Sequence, residues 1–283
     1  MALNRFRFWL VLIALLGWAG WPDAAHAQDG GFMSNLGIDT QNPTPEDVTV
    51  TLQLLFMLTV LSLLPSIAIM TTSFIRISVV LGFVRRAIGT QQTPSNQIIV
   101  GLSLFMTFFI MTPVFNEIYN GAVKPYLDGE TEALQPGDVD PFGNRVEETV
   151  PKFYVMLQEA LIPLRNFMWG QIGPSGANDV AIMINMAGLD KPEGPNDVPT
   201  HVLIPAFMIS ELKKAFMMGF IIFIPFLILD LVTSSVLISM GMFQLPPAFI
   251  SLPFKILLFV LVDGWSVLAH ALGMSFFQHM NLA

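Results

Sequence analysis

Seven ionisable side chains stand inside runs that are otherwise apolar: Arg76, Glu211, Lys213, Lys214, Asp230, Lys255 and Asp263. A charge at the centre of a bilayer costs roughly 2.5–3.5 kcal/mol, so seven facing lipid is untenable and most must meet a partner or water. Three acids against four bases allow pairing. Glu211 and Lys214 are three residues apart and can share a helix face. Asp230 and Lys255 lie on successive helical segments joined by a turn, so antiparallel packing could bring them together. Such groups can fix helix register within one subunit, bridge subunits, or relay protons. Asp230 and Asp263 could be taken for a catalytic acid pair, but neither is flanked by a motif of intramembrane proteolysis. HExxH and GxSxG are absent as well. The four histidines, His26, His201, His270 and His279, show no ligand spacing, and the lack of cysteine excludes disulfides and thiolate metal sites. The expectation is a protein that is not an enzyme and needs no cofactor or metal.

The second chemically suggestive stretch is GMFQLPPAFISLPFK, from Gly241 to Lys255. Gly241 can end a helix, and Pro246 and Pro247 oppose its immediate resumption. Met242, Phe243, Gln244 and Leu245 lie between these breaks and are sizeable and mostly apolar. Non-helical backbone at membrane depth is tolerated only when buried in protein or lining a cavity. The segment is therefore either the lining of a passage or a hairpin turn that reaches an interface. Seventeen methionines supply flexible apolar surface, which suits a deformable seal and equally suits an ordinary core.

The elements that carry these residues follow from composition. The chain of 283 residues is 53% hydrophobic and 12% charged, whereas soluble domains carry about 25% charged residues. This is the composition of a membrane or membrane-associated protein. A net charge of -8 argues against nucleic acid as a partner. Four hydrophobic segments run from about 48 to 84, 98 to 115, 202 to 240 and 248 to 277, too long and uninterrupted for strands. The fold class is all-α, with kinked or broken hydrophobic helices. Pro65 offers a kink rather than a stop in the first segment.

Residues 1–27 read as a cleavable signal peptide. Arg5 and Arg7 precede an apolar WLVLIALLGWAGW, and Ala25-His26-Ala27 fits the small-x-small rule for cleavage after Ala27. A polar segment, 28–47, follows. Residues 48–118 form a first hydrophobic hairpin and 201–283 a second, the latter carrying a pore loop at 241–247. Between them, 119–200 hold twelve acidic and five basic residues, read as a small, mostly helical extracytoplasmic domain. Within it, VEETVPKFYVMLQEALIPLRNFMWGQ has an amphipathic helical pattern with a break expected near Pro163. Arg85 and Arg86 mark the loop after the first segment as cytoplasmic by the positive-inside rule, which places the acidic region outside.

Four stretches, in order, resemble one family: SFIRISVVLGFVRRAIGTQQTPSNQIIVGLSLFMTFFIMTPVF, PLRNFM, IPAFMISELKKAFMMGFIIFIPFLILDLV and GMFQLPPAFISLPFKILLFVLVDGW. They are similar to the FliP family of flagellar export-gate subunits, related to the SctR subunits of injectisomes. The cleavable signal and the acidic insertion look more like the flagellar branch. The resemblance implies a core subunit that assembles as a homopentamer with two smaller membrane proteins, FliQ and FliR, and other membrane proteins of the flagellar export apparatus. Unfolded flagellar proteins pass through the resulting helical gate, at the flagellar basal body of the bacterial inner membrane. It also implies that the hydrophobic helices pack on other subunits rather than span lipid independently. Arg165, Glu211, Lys213, Asp230, Lys255 and Asp263 are then candidates for gate assembly. Met242, Phe243 and Gln244 match the pore-constricting segment, typically three methionines; here two thioethers give way to a ring and an amide. The alternatives are an injectisome gate subunit, a scaffold that does not line the passage, and a small-solute or ion transporter, whose inverted repeats are not visible.

Overall fold

The computed structural model describes residues 45–90, 93–192, 194–242 and 244–280. The signal segment with its cleavage residue Ala27, most of the polar lead, and Phe243 lie outside the described residues. Among those described, every regular element is a helix, apart from two isolated β-bridges, Leu134 to Val150 and Val139 to Arg145. The chain divides into two compact units, residues 1–68 and 69–283.

The described part of the first unit belongs to α1 (Pro45–Thr71), which keeps Pro65 inside it. Leu55, Phe56, Leu58 and Leu61 are all exposed, so the helix presents apolar side chains around its circumference. A helix that is apolar on every side is buried in protein or lipid.

The second unit is built around α2 (Phe74–Ile88) and the 40-residue α7 (Thr200–Ser239). In α7 the buried positions Val202, Leu203, Ala206, Phe207, Ser210, Glu211, Ala215 and Gly219 recur every three to four residues, the spacing of one helix face. That face meets Ile77, Val80, Leu81 and Val84 of α2 in a common core. The approach is close at Gly219, where a Cβ would fall 2.5 Å from the Phe83 ring. We expect Gly219→Ala to destabilise the chain by about 1–3 kcal/mol through overpacking, read as a lower melting temperature in detergent, and Phe83→Leu to recover part of the loss. Unchanged melting would mean that α2 and α7 separate freely.

Beyond Gly219 the character of α7 changes. Only Phe226 and Leu237 are buried, while Phe220, Ile221, Ile228, Leu231, Val232 and Val236 are exposed. At 1.5 Å per residue the helix is about 60 Å long, roughly twice the hydrocarbon thickness of a bilayer. Half of it holds the core and half is apolar surface.

The remaining elements pack on this frame. α3 (Asn96–Ile118) is capped by Ser95, whose hydroxyl accepts from Ile98 N at 3.4 Å, and continues through a π-turn (Tyr119–Val123) into α4 (Lys124–Asp128). α5 (Lys152–Ile172) and α6 (Ala177–Met186) lie against α7. α8 (Pro247–Leu261) returns along α7, and α9 (Gly264–Met280) packs on α5. By length and composition three helical stretches could cross a membrane, Leu54–Thr71, Asn96–Asp128 and Thr200–Ser239, and the bent α8–α9 pair would make a fourth.

Three boundaries differ from the sequence expectation. The first hydrophobic segment is two helices, broken at Thr72 and Ser73, while Pro65 does not stop the first of them. α5 runs unbroken through Pro163, since losing one backbone donor does not outweigh the turns on either side. The last segment is likewise two helices, meeting at 62° across Val262 and Asp263.

Candidate functional site

Arg76 and Glu211 form the most deeply buried ion pair among the described residues, at 1% and 0% exposure. α2 brings the guanidinium and α7 the carboxylate. Arg76 Nε donates to Glu211 Oε2 at 2.8 Å, and Nη2 donates to Oε1. This two-pronged pairing suits a planar guanidinium and is the strong form of an ion pair. The remaining donors are also used. Nη2 reaches Gln171 Oε1 at 3.0 Å, and Nη1 reaches Ser275 Oγ at 3.1 Å. The Phe276 ring lies 3.8 Å from the guanidinium carbon. Gln171 in turn donates to Phe276 O at 3.2 Å, and Lys214 donates to Gln171 O. Lys214 also stands 3.8 Å from Glu211, one turn away on the same helix. α2, α5, α7 and α9 are thus tied at one point.

A second pair lies further along α7. Lys255 Nζ donates to Asp230 Oδ2 at 2.7 Å, and Ser251 Oγ donates to Asp230 Oδ1 at 2.6 Å. Ser251 and Lys255 are four residues apart, so α8 presents both on one face. Lys255 is 7% exposed and Asp230 33%, which leaves the acid partly open. The ammonium also sits at the C-terminal end of α2, where a Cβ on Gly89 would be 3.6 Å from it. A cation there is favoured by the helix dipole, and Gly89 has φ +84, a backbone conformation that disfavours a side chain.

The segment between these helices is a helix stop followed by an exposed loop. Gly241 has φ +73; its N–H donates to Ile238 O at 3.0 Å, and Met242 N donates to Leu237 O at 2.9 Å. Those two bonds are the Schellman arrangement that closes a helix. Met242, Gln244 and Leu245 are exposed. Pro247, expected to hold off the next helix, is instead its first residue, where the missing N–H costs nothing. Pro246 is the residue that keeps the chain extended.

The sequence model of the FliP family matches residues 57–272 of this chain. The chain belongs to the FliP family. It is 47% identical over 232 residues to the flagellar biosynthetic protein FliP of Bacillus subtilis, which covers 82% of this chain and 95% of that protein. It is 43% identical over 265 residues to the protein of that name from Caulobacter vibrioides, covering 94% and 89%. The FliP of Borreliella burgdorferi is 42% identical over 230 residues, covering 81% and 83%.

In this FliP-family chain the other candidate charges are placed as follows. Arg165 on α5 donates to Thr200 Oγ1 at 2.6 Å, Val198 O at 2.7 Å and Asn196 O at 3.2 Å. Its guanidinium anchors the segment that leads into α7. Burial pulls the Arg165 pKa below its ordinary value, and the three acceptors work against that loss of solvation. Lys213 pairs with Asp179 of α6. Arg85 donates to Asn96 Oδ1 at the start of α3, and Arg86 lies over the Phe83 ring, 4.5 Å from its centroid. Asp263 is exposed, and no cation stands within ion-pair distance of it among the described residues. Sequence reasoning missed Gln171, Ser275 and Phe276 around Arg76, and Asp179 opposite Lys213. Only Ser251 carried a signal, its four-residue spacing from Lys255.

Proposed function

We propose that this chain is a core subunit of the bacterial flagellar export gate, and that it forms with partner subunits the channel through which unfolded flagellar proteins pass. The observation that carries this is the α7–α8 hairpin. Two helices expose apolar side chains over most of their surface, are pinned to each other by the Lys255–Asp230 pair, and end in a connection exposed at Gly241, Met242, Gln244, Leu245 and Pro246. Exposed apolar surface of this extent calls for other subunits or lipid. The flagellar names of the relatives favour the flagellar over the injectisome role. No observation favours an enzyme or a small-solute transporter.

In this reading several copies, five by the family resemblance, join FliQ and FliR at the flagellar basal body of the inner membrane. The loops converge on a narrow passage, where Met242 and Phe243 provide apolar bulk and Gln244, with a donor and an acceptor, hydrogen-bonds between copies or faces water. Arg85 and Arg86 lie on the cytoplasmic side and residues 119–200 outside. Arg165, Glu211, Lys213, Asp230 and Lys255 act in assembly by setting the shape of each subunit, since each already has a partner inside the chain.

The loop supplies the test. Shrinking Met242 and Phe243 to alanine in the assembled complex is expected to raise small-ion conductance several-fold while the complex keeps its mass. Conductance equal to the parent's, idle and during export, would remove the loop from the seal.

A further inference from the structure

Of the seven ionisable groups in the apolar segments, six are engaged within the chain: Arg76, Glu211 and Lys214 in one cluster, Asp230 with Lys255, and Lys213 with Asp179. Asp263 is the exception. It forms the elbow between α8 and α9 with φ +50, the one non-glycine positive φ among the described residues. Aspartate and asparagine enter this left-handed region more readily than other side chains do. Its main chain is used, since Asp263 N donates to Val260 O and Val267 N donates to Asp263 O, both at 3.1 Å. Gly264 completes the bend, because a Cβ there would meet the Phe259 ring at 2.4 Å. Backbone and glycine fix the elbow, and among the described residues the carboxylate makes no hydrogen bond or ion pair that contributes to it.

The surroundings say what the carboxylate faces. Val260, Leu261, Val262, Trp265 and Val267 are exposed on both sides of it, so the elbow is an apolar surface that carries one unpaired anion. Covering such a surface without a cation would leave a buried uncompensated charge. The apolar helices of a second copy are a poor source of that cation, since Arg76, Lys213, Lys214 and Lys255 are paired, Arg85 is bonded to Asn96, and Arg86 is stacked on Phe83. Lys124, Arg145, Lys152 and Lys191 belong to the acidic region at 119–200.

We propose that the Asp263 elbow docks a helix of a different membrane subunit, one that brings a single lysine or arginine within an apolar stretch to meet the carboxylate. This rests on the reading of the chain as a subunit of a membrane assembly and goes further in naming the chemistry of one contact.

The test places a photo-reactive amino acid at Val262 of the full chain in its native membrane. The expected product is an adduct with another membrane protein, within one helical turn of a lysine or arginine. Asp263→Asn keeps a residue suited to positive φ and removes only the charge. It is expected to cut adduct yield about tenfold, equivalent to roughly 1.4 kcal/mol, while leaving the melting of the isolated chain unchanged. Replacing the partner's lysine or arginine with glutamine should reproduce the loss, and the double variant should lose no more than either single one, the mark of a coupled pair. Adducts only with lipid or with a second copy of this chain, parental yield from Asp263→Asn, or a lower melting temperature for that variant would each overturn the proposal. If the chain still forms its oligomer while Val262 captures only lipid, the elbow contact alone falls. A monomer in the membrane that captures nothing overturns the subunit reading as well.

Discussion

Arg76→Ala is expected to lower the stability of the chain by about 3–5 kcal/mol, the range for breaking a buried ion pair by removing one partner. Glu211 has no exposed surface, so its carboxylate would keep only the more distant Lys214 at 3.8 Å. Gln171 and Ser275 would each lose a donor, and an unmet buried acceptor adds its own desolvation cost. Four helices meet at this cluster, so the loss should appear as aggregation or poor recovery in detergent rather than as a local change. The double variant Arg76→Met with Glu211→Met separates charge from packing. Apolar replacement of a whole buried pair is often neutral or stabilising, so the double variant should recover much of the loss. Arg76→Ala with parental yield and melting temperature would show that the cluster does not hold the helices together.

Lys255→Ala is expected to abolish or strongly reduce export, with a smaller effect on the stability of the isolated chain. Asp230 is one third exposed and keeps the Ser251 hydroxyl at 2.6 Å, so the stability loss falls below the fully buried range, at about 1–3 kcal/mol. The functional effect is larger because Lys255 sits between Asp230 and the end of α2, and so sets where the α7–α8 hairpin points. Lys255→Met keeps most of the aliphatic stem and removes the charge, and should behave like the alanine variant. Motility and complex yield can be measured for both. Normal values for either variant would mean that the hairpin is positioned by packing alone.

How much of this was legible beforehand depends on sequence distance. The Asp230–Lys255 pair was readable because both residues lie a similar number of positions from Gly241, and an antiparallel return then places them side by side. Glu211 and Lys214 were readable from helix periodicity. The partner of Arg76 was not, because Glu211 is 135 residues away and the pairing follows from the packing of α2 on α7. Asp179 was hidden for the same reason, since nothing in α6 points to Lys213 until both helices are placed. Pro65 was legible as a residue that does not stop its helix, whereas Pro163 misled because neighbouring turns carry the helix through it, and the break at Thr72 and Ser73 contains neither proline nor glycine. The Asp263-Gly264 dipeptide was a turn signal obscured by apolar residues on both sides. The seal role proposed for Met242, Phe243 and Gln244 follows from family resemblance more than from physics, because a bulky loop between two helices is equally an ordinary hairpin turn.

As a proposed subunit of a larger gate, this chain should not be found alone in the membrane. The most direct measurement is its native mass after detergent extraction, expressed alone and then together with FliQ and FliR. A discrete homo-oligomer, a pentamer by the family resemblance, that takes up both partners is the expected result. A stable monomer that ignores both would contradict it.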